Sequence, residues 1–273
     1  MLVSPRASGN DGTAPYTSSR VFPIFAGISA PYSADRAWPY ITAGKLFFTV
    51  NGTPRFCSAS VIQRRIVVTA GHCVHSGTAA GFYRDWLFVP AFRDGNAPLL
   101  TWRWRAAIVT ATWATSNGYL PNPADYAMIE FGDQALGGAV RALGDVTGWL
   151  GWQTLSLNLN HTTKLGYAGN LDGGQKMQQI TSADVGATVE NNVVSGSDGK
   201  DGFDGAPWIQ NFQVLQAGGG AGANNGSNRV VGVVSRFYAP GPFKVQAQSS
   251  PEPDGRWVDL FNASCARTPD NCR

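Results

Sequence analysis

An all-β fold follows from three features of this 273-residue chain. Only 14% of its residues are charged and 43% are hydrophobic, whereas an ordinary globular protein carries about 25% charge. Short apolar runs rich in Val, Ile, Thr and aromatic residues recur along it, separated by 33 glycines and 16 prolines. Branched and aromatic side chains fit a pleated sheet, and Gly and Pro interrupt one. No helical periodicity of useful length precedes the C-terminal region. Many short strands between turns imply a sandwich or barrels.

Residues 1–22 are polar, with Pro, Gly and Ser, and read as a loose arm; the whole N-terminal arm is taken as 1–39. Residues 44–50 form a strand, and Asn51-Gly52-Thr53-Pro54 has the composition of a hairpin turn. Residues 55–62 return as a second strand, and 65–69 form a third around Ile66-Val67-Val68. Residues 86–92 and 103–113 are further strands. In the second, Trp102, Trp104 and Ala106 alternate with Arg103 and Arg105, a period of two. Pro121-Asn122-Pro123 breaks the chain before the run Asp125 to Phe131. Residues 137–148 are Gly-rich and link two halves. Residues 149–167, 176–190, 208–215 and 229–238 supply the later strands, and 217–228 is a low-complexity Gly loop. The C-terminal end, 263–273, reads as a short local loop.

Composition excludes several functions. A net charge of +3, with no run of five like charges, gives no footprint for nucleic acid. No stretch of eighteen apolar residues is present to span a membrane. The four cysteines fall into two close pairs, Cys57/Cys73 and Cys265/Cys272, with no Cys-x-x-Cys. That pattern fits disulfides in an oxidising compartment, so a mature secreted chain is expected rather than a cytoplasmic one. No metal and no cofactor are expected.

The stretch Thr69-Ala70-Gly71-His72-Cys73 organises the chain. It sets a histidine at the end of a buried strand, one residue before a cysteine, with Cys57 sixteen residues upstream. This segment resembles the catalytic-histidine segment of trypsin-like (chymotrypsin-fold) serine peptidases, in detail most like the microbial V8-like or trypsin-like branch. Asp125, opening a short apolar strand about fifty residues later, resembles the family's catalytic aspartate. Gly202-Phe203-Asp204-Gly205-Ala206-Pro207 resembles its nucleophile motif Gly-x-Ser-Gly-x-Pro, with Asp204 where the serine belongs. Ser195, Ser197 and Ser235 are off-motif.

The resemblance implies two six-stranded antiparallel barrels, 40–145 and 146–262, with an active-site cleft between them and a disulfide-closed tail. It also implies pairing of Cys57 with Cys73, and Cys265–Cys272 closes the tail. His72, Asp125 and Asp204 would form the catalytic set, and the N–H groups of Gly202 and Asp204 the oxyanion hole. Asp198, six residues before Asp204, and Ser235 would line the substrate pocket. Val234 stands where glutamate-specific relatives carry a histidine, which disfavours that specificity.

An aspartate has no hydroxyl, and carboxylate attack on an amide gives a mixed anhydride with a poor leaving group. Two anions beside His72 favour its imidazolium, which cannot act as a general base. Two readings compete, beside a weaker third, a purely structural surface protein. One is a secreted, monomeric, catalytically inactive homologue that binds a peptide or protein in the cleft. The alternative is an active serine endopeptidase in its natural form, with Asp204 a substitution of the catalytic serine.

Overall fold

The computed structural model describes residues 15–21, 23–24, 32–187, 191–213, 226–238 and 246–273. Six strands of the first half close into a barrel: β4 (Ala43–Val50), β5 (Thr53–Gln63), β6 (Ile66–Thr69), β7 (Arg84–Pro90), β8 (Trp102–Val109) and β9 (Ala127–Phe131). Around the barrel the order is β4-β5-β6-β9-β8-β7, every pair antiparallel. Before it lie β1 (Tyr16–Arg20), β2 (Pro23–Ile24) and β3 (Tyr32–Ser33). The alternation of each strand drives one row of side chains inward. Leu46, Cys57, Ala59, Val61, Val67, Trp86, Phe88, Trp102, Ile129 and Phe131 fill the barrel as one buried cluster.

A short helix, α1 (Ala111–Ala114), follows β8, with Thr110 accepting from the Trp113 N–H as its cap. The Gly-rich link holds a hairpin, β10 (Gln134–Leu136) and β11 (Ala139–Arg141), and a helix, α2 (Leu143–Thr147).

The second half contributes β12 (Gly151–Trp152), β13 (His161–Gly166), β14 (Gln178–Ala187), β15 (Asn192–Gly196), β16 (Pro207–Gln210), β17 (Arg229–Val233), β18 (Arg236–Tyr238) and β19 (Ala247–Pro251). They form one sheet in the order β12-β17-β16-β13-β14-β15-β19-β18, and β1 makes the ninth strand by pairing with β14. The six-stranded barrel expected for residues 146–262 is therefore a nine-stranded sheet, and among the described residues no pairing of its ends closes it. Its core gathers Leu157, Ile180, Phe203, Ala206, Trp208, Val231 and Val234. A third cluster, including Ile62, Val68, Tyr126, Leu165, Tyr167, Ile209 and Val230, joins the two halves.

Three sequence expectations change. Residues 16–20, read as part of a loose arm, are a strand in register with 178–182, Tyr16 opposite Ser182. This pairing is non-local and leaves no mark in the arm's own composition. The tail is not a local loop alone: α3 spans Gly255–Ala266, capped by Asp254, and buries Trp257, Leu260 and Ser264 at helical spacing. Trp102 and Trp104 keep the predicted period of two, opposite Phe88 and Phe131, but a bulge after Trp104 puts Ala106 opposite Glu130, on the other face. Trp104 is nevertheless 39% exposed, while Trp102 is buried. The Gly-rich residues 214–225 and the arm before residue 15 lie outside the described residues.

Candidate active site

His72 sits in a single 3-10 turn, Gly71–Cys73, at the end of β6. Three contacts hold that turn. The Cys57–Cys73 disulfide ties it to β5, with the Cα atoms 6.3 Å apart. The Trp86 indole N–H donates to the Cys73 carbonyl at 3.2 Å, and the Trp113 indole N–H donates to the His75 carbonyl at 2.8 Å. Gly71 is required by crowding: a Cβ there would lie 2.9 Å from the Trp113 ring and 3.0 Å from Asp125 Oδ1.

Asp125 follows an Asn122 turn, in which the Asn122 side chain accepts from the Ala124 N–H at 2.9 Å, and stands two residues before β9 begins. Its carboxylate is fully buried and accepts three hydrogen bonds. The His72 backbone N–H donates to Oδ1 at 2.8 Å, and His72 Nδ1–H donates to Oδ2 at 2.8 Å. The Ser235 hydroxyl donates to Oδ2 at 2.6 Å. A carboxylate can only accept, so the hydrogen on His72 Nδ1 is fixed and the ring's orientation with it.

On the other side of the imidazole, Asp204 Oδ1 lies 3.7 Å from Nε2. That separation is an ion-pair distance, longer than a hydrogen bond. The two side chains keep 25% and 27% of their surface exposed. Burial pushes the His72 imidazole down, but the Asp125 charge and hydrogen bond, with Asp204 adding to them, outweigh it and hold it well above the ordinary histidine value.

Residues 202–205 are docked onto the first barrel by close backbone contacts. Gly202 (φ +89°) and Gly205 (φ +79°) both take the left-handed conformation. A Cβ on Gly205 would meet Thr69 Oγ1 at 2.0 Å, and one on Gly202 would meet the Phe56 ring at the same distance. The Ser58 N–H donates to the Asp204 carbonyl at 2.8 Å, and its hydroxyl to the Gly202 carbonyl at 2.8 Å. Gly205 N–H donates to the Val234 carbonyl at 2.7 Å. Among the described residues, the N–H groups of Gly202 and Asp204 have no acceptor in the protein, so two donors stand open beside the Asp204 side chain.

The structure thus brings His72, Asp125, Asp204, Gly202 and Ser235 together. Ser235 spends its hydroxyl on Asp125 rather than on open space. Asp198 joins none of them by a polar contact. It lines a cavity of about 480 Å³ with Ser18, Ser19, Arg20, Asn170 and Asp172. Ser195 and Ser197 are fully buried, and neither bonds to His72. Sequence reasoning missed Ser58, the fully buried hydroxyl that clamps the 202–205 turn. Its signal was a polar residue between Cys57 and Ala59 in an apolar strand. The second disulfide, Cys265–Cys272, closes the segment after α3. Among the described residues no group of three or more His, Cys, Asp or Glu could hold a metal ion.

The Trypsin family model matches residues 32–239. Several solved structures share the fold. The protease Anisep from Arthrobacter nicotinovorans is 22% identical with a TM-score of 0.69, covering 92% of this chain and 100% of its own. The serine protease AL20 from an extremophilic microorganism is 21% identical with a TM-score of 0.67, covering 84% and 98%. A Glu endopeptidase solved with MPD is 17% identical with a TM-score of 0.67, covering 94% and 100%. No curated protein sequence matches significantly.

Proposed function

The chain belongs to the trypsin-like serine peptidase family, and from that premise we propose that it is a secreted, catalytically inactive member. In this reading His72 and Asp125 are the retained base and its orienting carboxylate, and Asp204 occupies the nucleophile position. Gly202 and Asp204 N–H groups are the retained oxyanion donors. The observation that carries the reading is the Asp204 carboxylate, 3.7 Å from His72 Nε2. It stands where an attacking hydroxyl would have to be activated.

Chemistry supports inactivity in three ways. Asp204 has no hydroxyl to acylate. The two carboxylates favour the His72 imidazolium, the form that cannot accept a proton from a nucleophile. A developing oxyanion at the two open N–H groups would meet the Asp204 negative charge, which offsets their stabilisation. The other nearby hydroxyl, Ser235, is committed to Asp125. The two disulfides and the family are consistent with secretion. The protein acts as a monomer that binds a peptide or protein in the cleft between its halves.

The test is cleavage of a mixed peptide library by the native chain and by Asp204→Ser. The proposal expects cleavage by the variant alone. Cleavage by the native chain would refute the assignment of Asp204.

A further inference from the structure

A second site is built beside β7 and β8 of the first barrel, and His72, Asp125 and Asp204 are not among its lining residues. A cavity of about 320 Å³ is lined by Phe82, Tyr83, Trp86, Trp104, Arg105 and Arg267, with Ala106 and Ala107. Its walls are aromatic. Trp104 meets Trp86 edge-on at 4.8 Å. Phe82 is 48% exposed and Trp104 39%, so two large rings face solvent at one mouth.

Charge at this mouth is unbalanced. Arg105 reaches Glu130 Oε1 at 3.5 Å, and Arg267, just beyond α3, reaches Oε2 at 3.5 Å. The Thr268 hydroxyl donates to the same carboxylate at 2.8 Å. Glu130 is 3% exposed, while the two arginine side chains are 50% and 48% exposed. Two guanidiniums therefore share one buried carboxylate, which leaves one positive charge over. The exposed faces of both guanidiniums keep donors available for a second anion.

We infer that this cavity binds a small aromatic carboxylate. Its volume lies at the lower end of the range of small-ligand sites, and its apolar walls with a few charged groups are typical of them. A ring packs between Trp104 and Phe82 in offset or edge geometry. The carboxylate takes the arginine fork and neutralises the surplus charge. A neutral ligand of the same shape gains the first contact and not the second. The cavity's inner wall is bonded to the loop of His72: Trp86 donates to the Cys73 carbonyl at 3.2 Å, and Tyr83 N–H to the Val74 carbonyl at 2.9 Å.

The test is titration of the full chain with 2-naphthoate and with neutral 2-naphthamide, followed by the indole N–H signals in two-dimensional NMR. The Trp104 signal is assigned by its loss in Trp104→Phe. Saturable movement of that signal is expected, with a Kd on the order of 1 mM, as for a fragment-sized ligand. The amide should bind at least about fivefold more weakly, and Arg267→Gln should weaken 2-naphthoate by a similar factor. That variant keeps Arg105 on Glu130, so the buried carboxylate retains a partner. Trp104→Ala, at an exposed position, should also weaken binding with the spectrum otherwise native. No saturable movement below about 10 mM, equal binding of the amide, or unchanged binding by Arg267→Gln would each overturn the inference.

Discussion

Replacing Asp204 with Asn removes one charge beside His72 with almost no change of shape. At 3.7 Å, two unit charges interact by about 4–5 kcal/mol at an effective dielectric of ~20, and by about 1 kcal/mol in water. A quarter of each side chain is exposed, so solvent screens the pair and about 1–2 kcal/mol of imidazolium stabilisation should disappear. Asp125 stays in place at 2.8 Å and fully buried, so His72 should remain above the ordinary histidine value in the variant. The assay is a pH titration of the His72 ring by NMR in both chains, with exposed His161 alongside. The native midpoint should be the higher of the two. The sign for stability follows from the raised folded value. The contribution is fully present below about pH 6.5, the unfolded value, and is lost as pH rises through the folded one. The native chain should therefore exceed Asp204→Asn in stability most clearly near pH 5–6. Equal midpoints, or a native midpoint at or below the ordinary histidine value, would refute the reasoning.

Three further outcomes follow from the same geometry. Gly205→Ala forces a Cβ to 2.0 Å from Thr69 Oγ1 at a φ of +79°, and should cost roughly 2–4 kcal/mol in urea unfolding; a loss under about 1 kcal/mol would mean the turn is not docked as described. Converting Cys57 and Cys73 to serine opens a loop of sixteen residues and should cost about 3 kcal/mol in the same assay, with an unchanged midpoint as the contrary result. Burial holds the Lys164 ammonium down to about 7, with its Nζ on Ser182 Oγ at 2.7 Å and the Gly196 carbonyl at 3.2 Å. The unfolded chain then binds more protons between pH 7 and 10, so stability should rise with pH across that window, and Lys164→Met should flatten the rise; a parallel rise in the variant would contradict it.

The first barrel and the His72 cluster are legible because their determinants are local. Ile66-Val67-Val68 must be a buried strand, and Gly71 is the residue that lets Trp113 and Asp125 approach. Asp125 and the glycines at 202 and 205 are marked in the same way, by a break before an apolar strand and by left-handed backbone. What the sequence hides depends on distant partners. Strand β1 exists because β14 offers an edge to it. Ala106 leaves the face of Trp102 and Trp104 because of a bulge that only the pairing with β9 defines. The α3 helix buries Trp257, Leu260 and Ser264, a stripe too short and too polar to stand out beside Pro251 and Pro253. Ser58 reads as an ordinary strand residue until the 202–205 turn arrives beside it. Asp198 lines a cavity beside β1, where the Asn170 side chain donates to its carbonyl.

We propose that the machinery around His72 is intact apart from the side chain at position 204. The most direct test is intact-mass and peptide-mapping analysis after treating the native chain and Asp204→Ser with a fluorophosphonate, which reacts only with an activated hydroxyl. The account predicts one adduct on the variant, mapped to the peptide containing position 204, and none on the native chain. An unlabelled variant, or a labelled native chain, would contradict it.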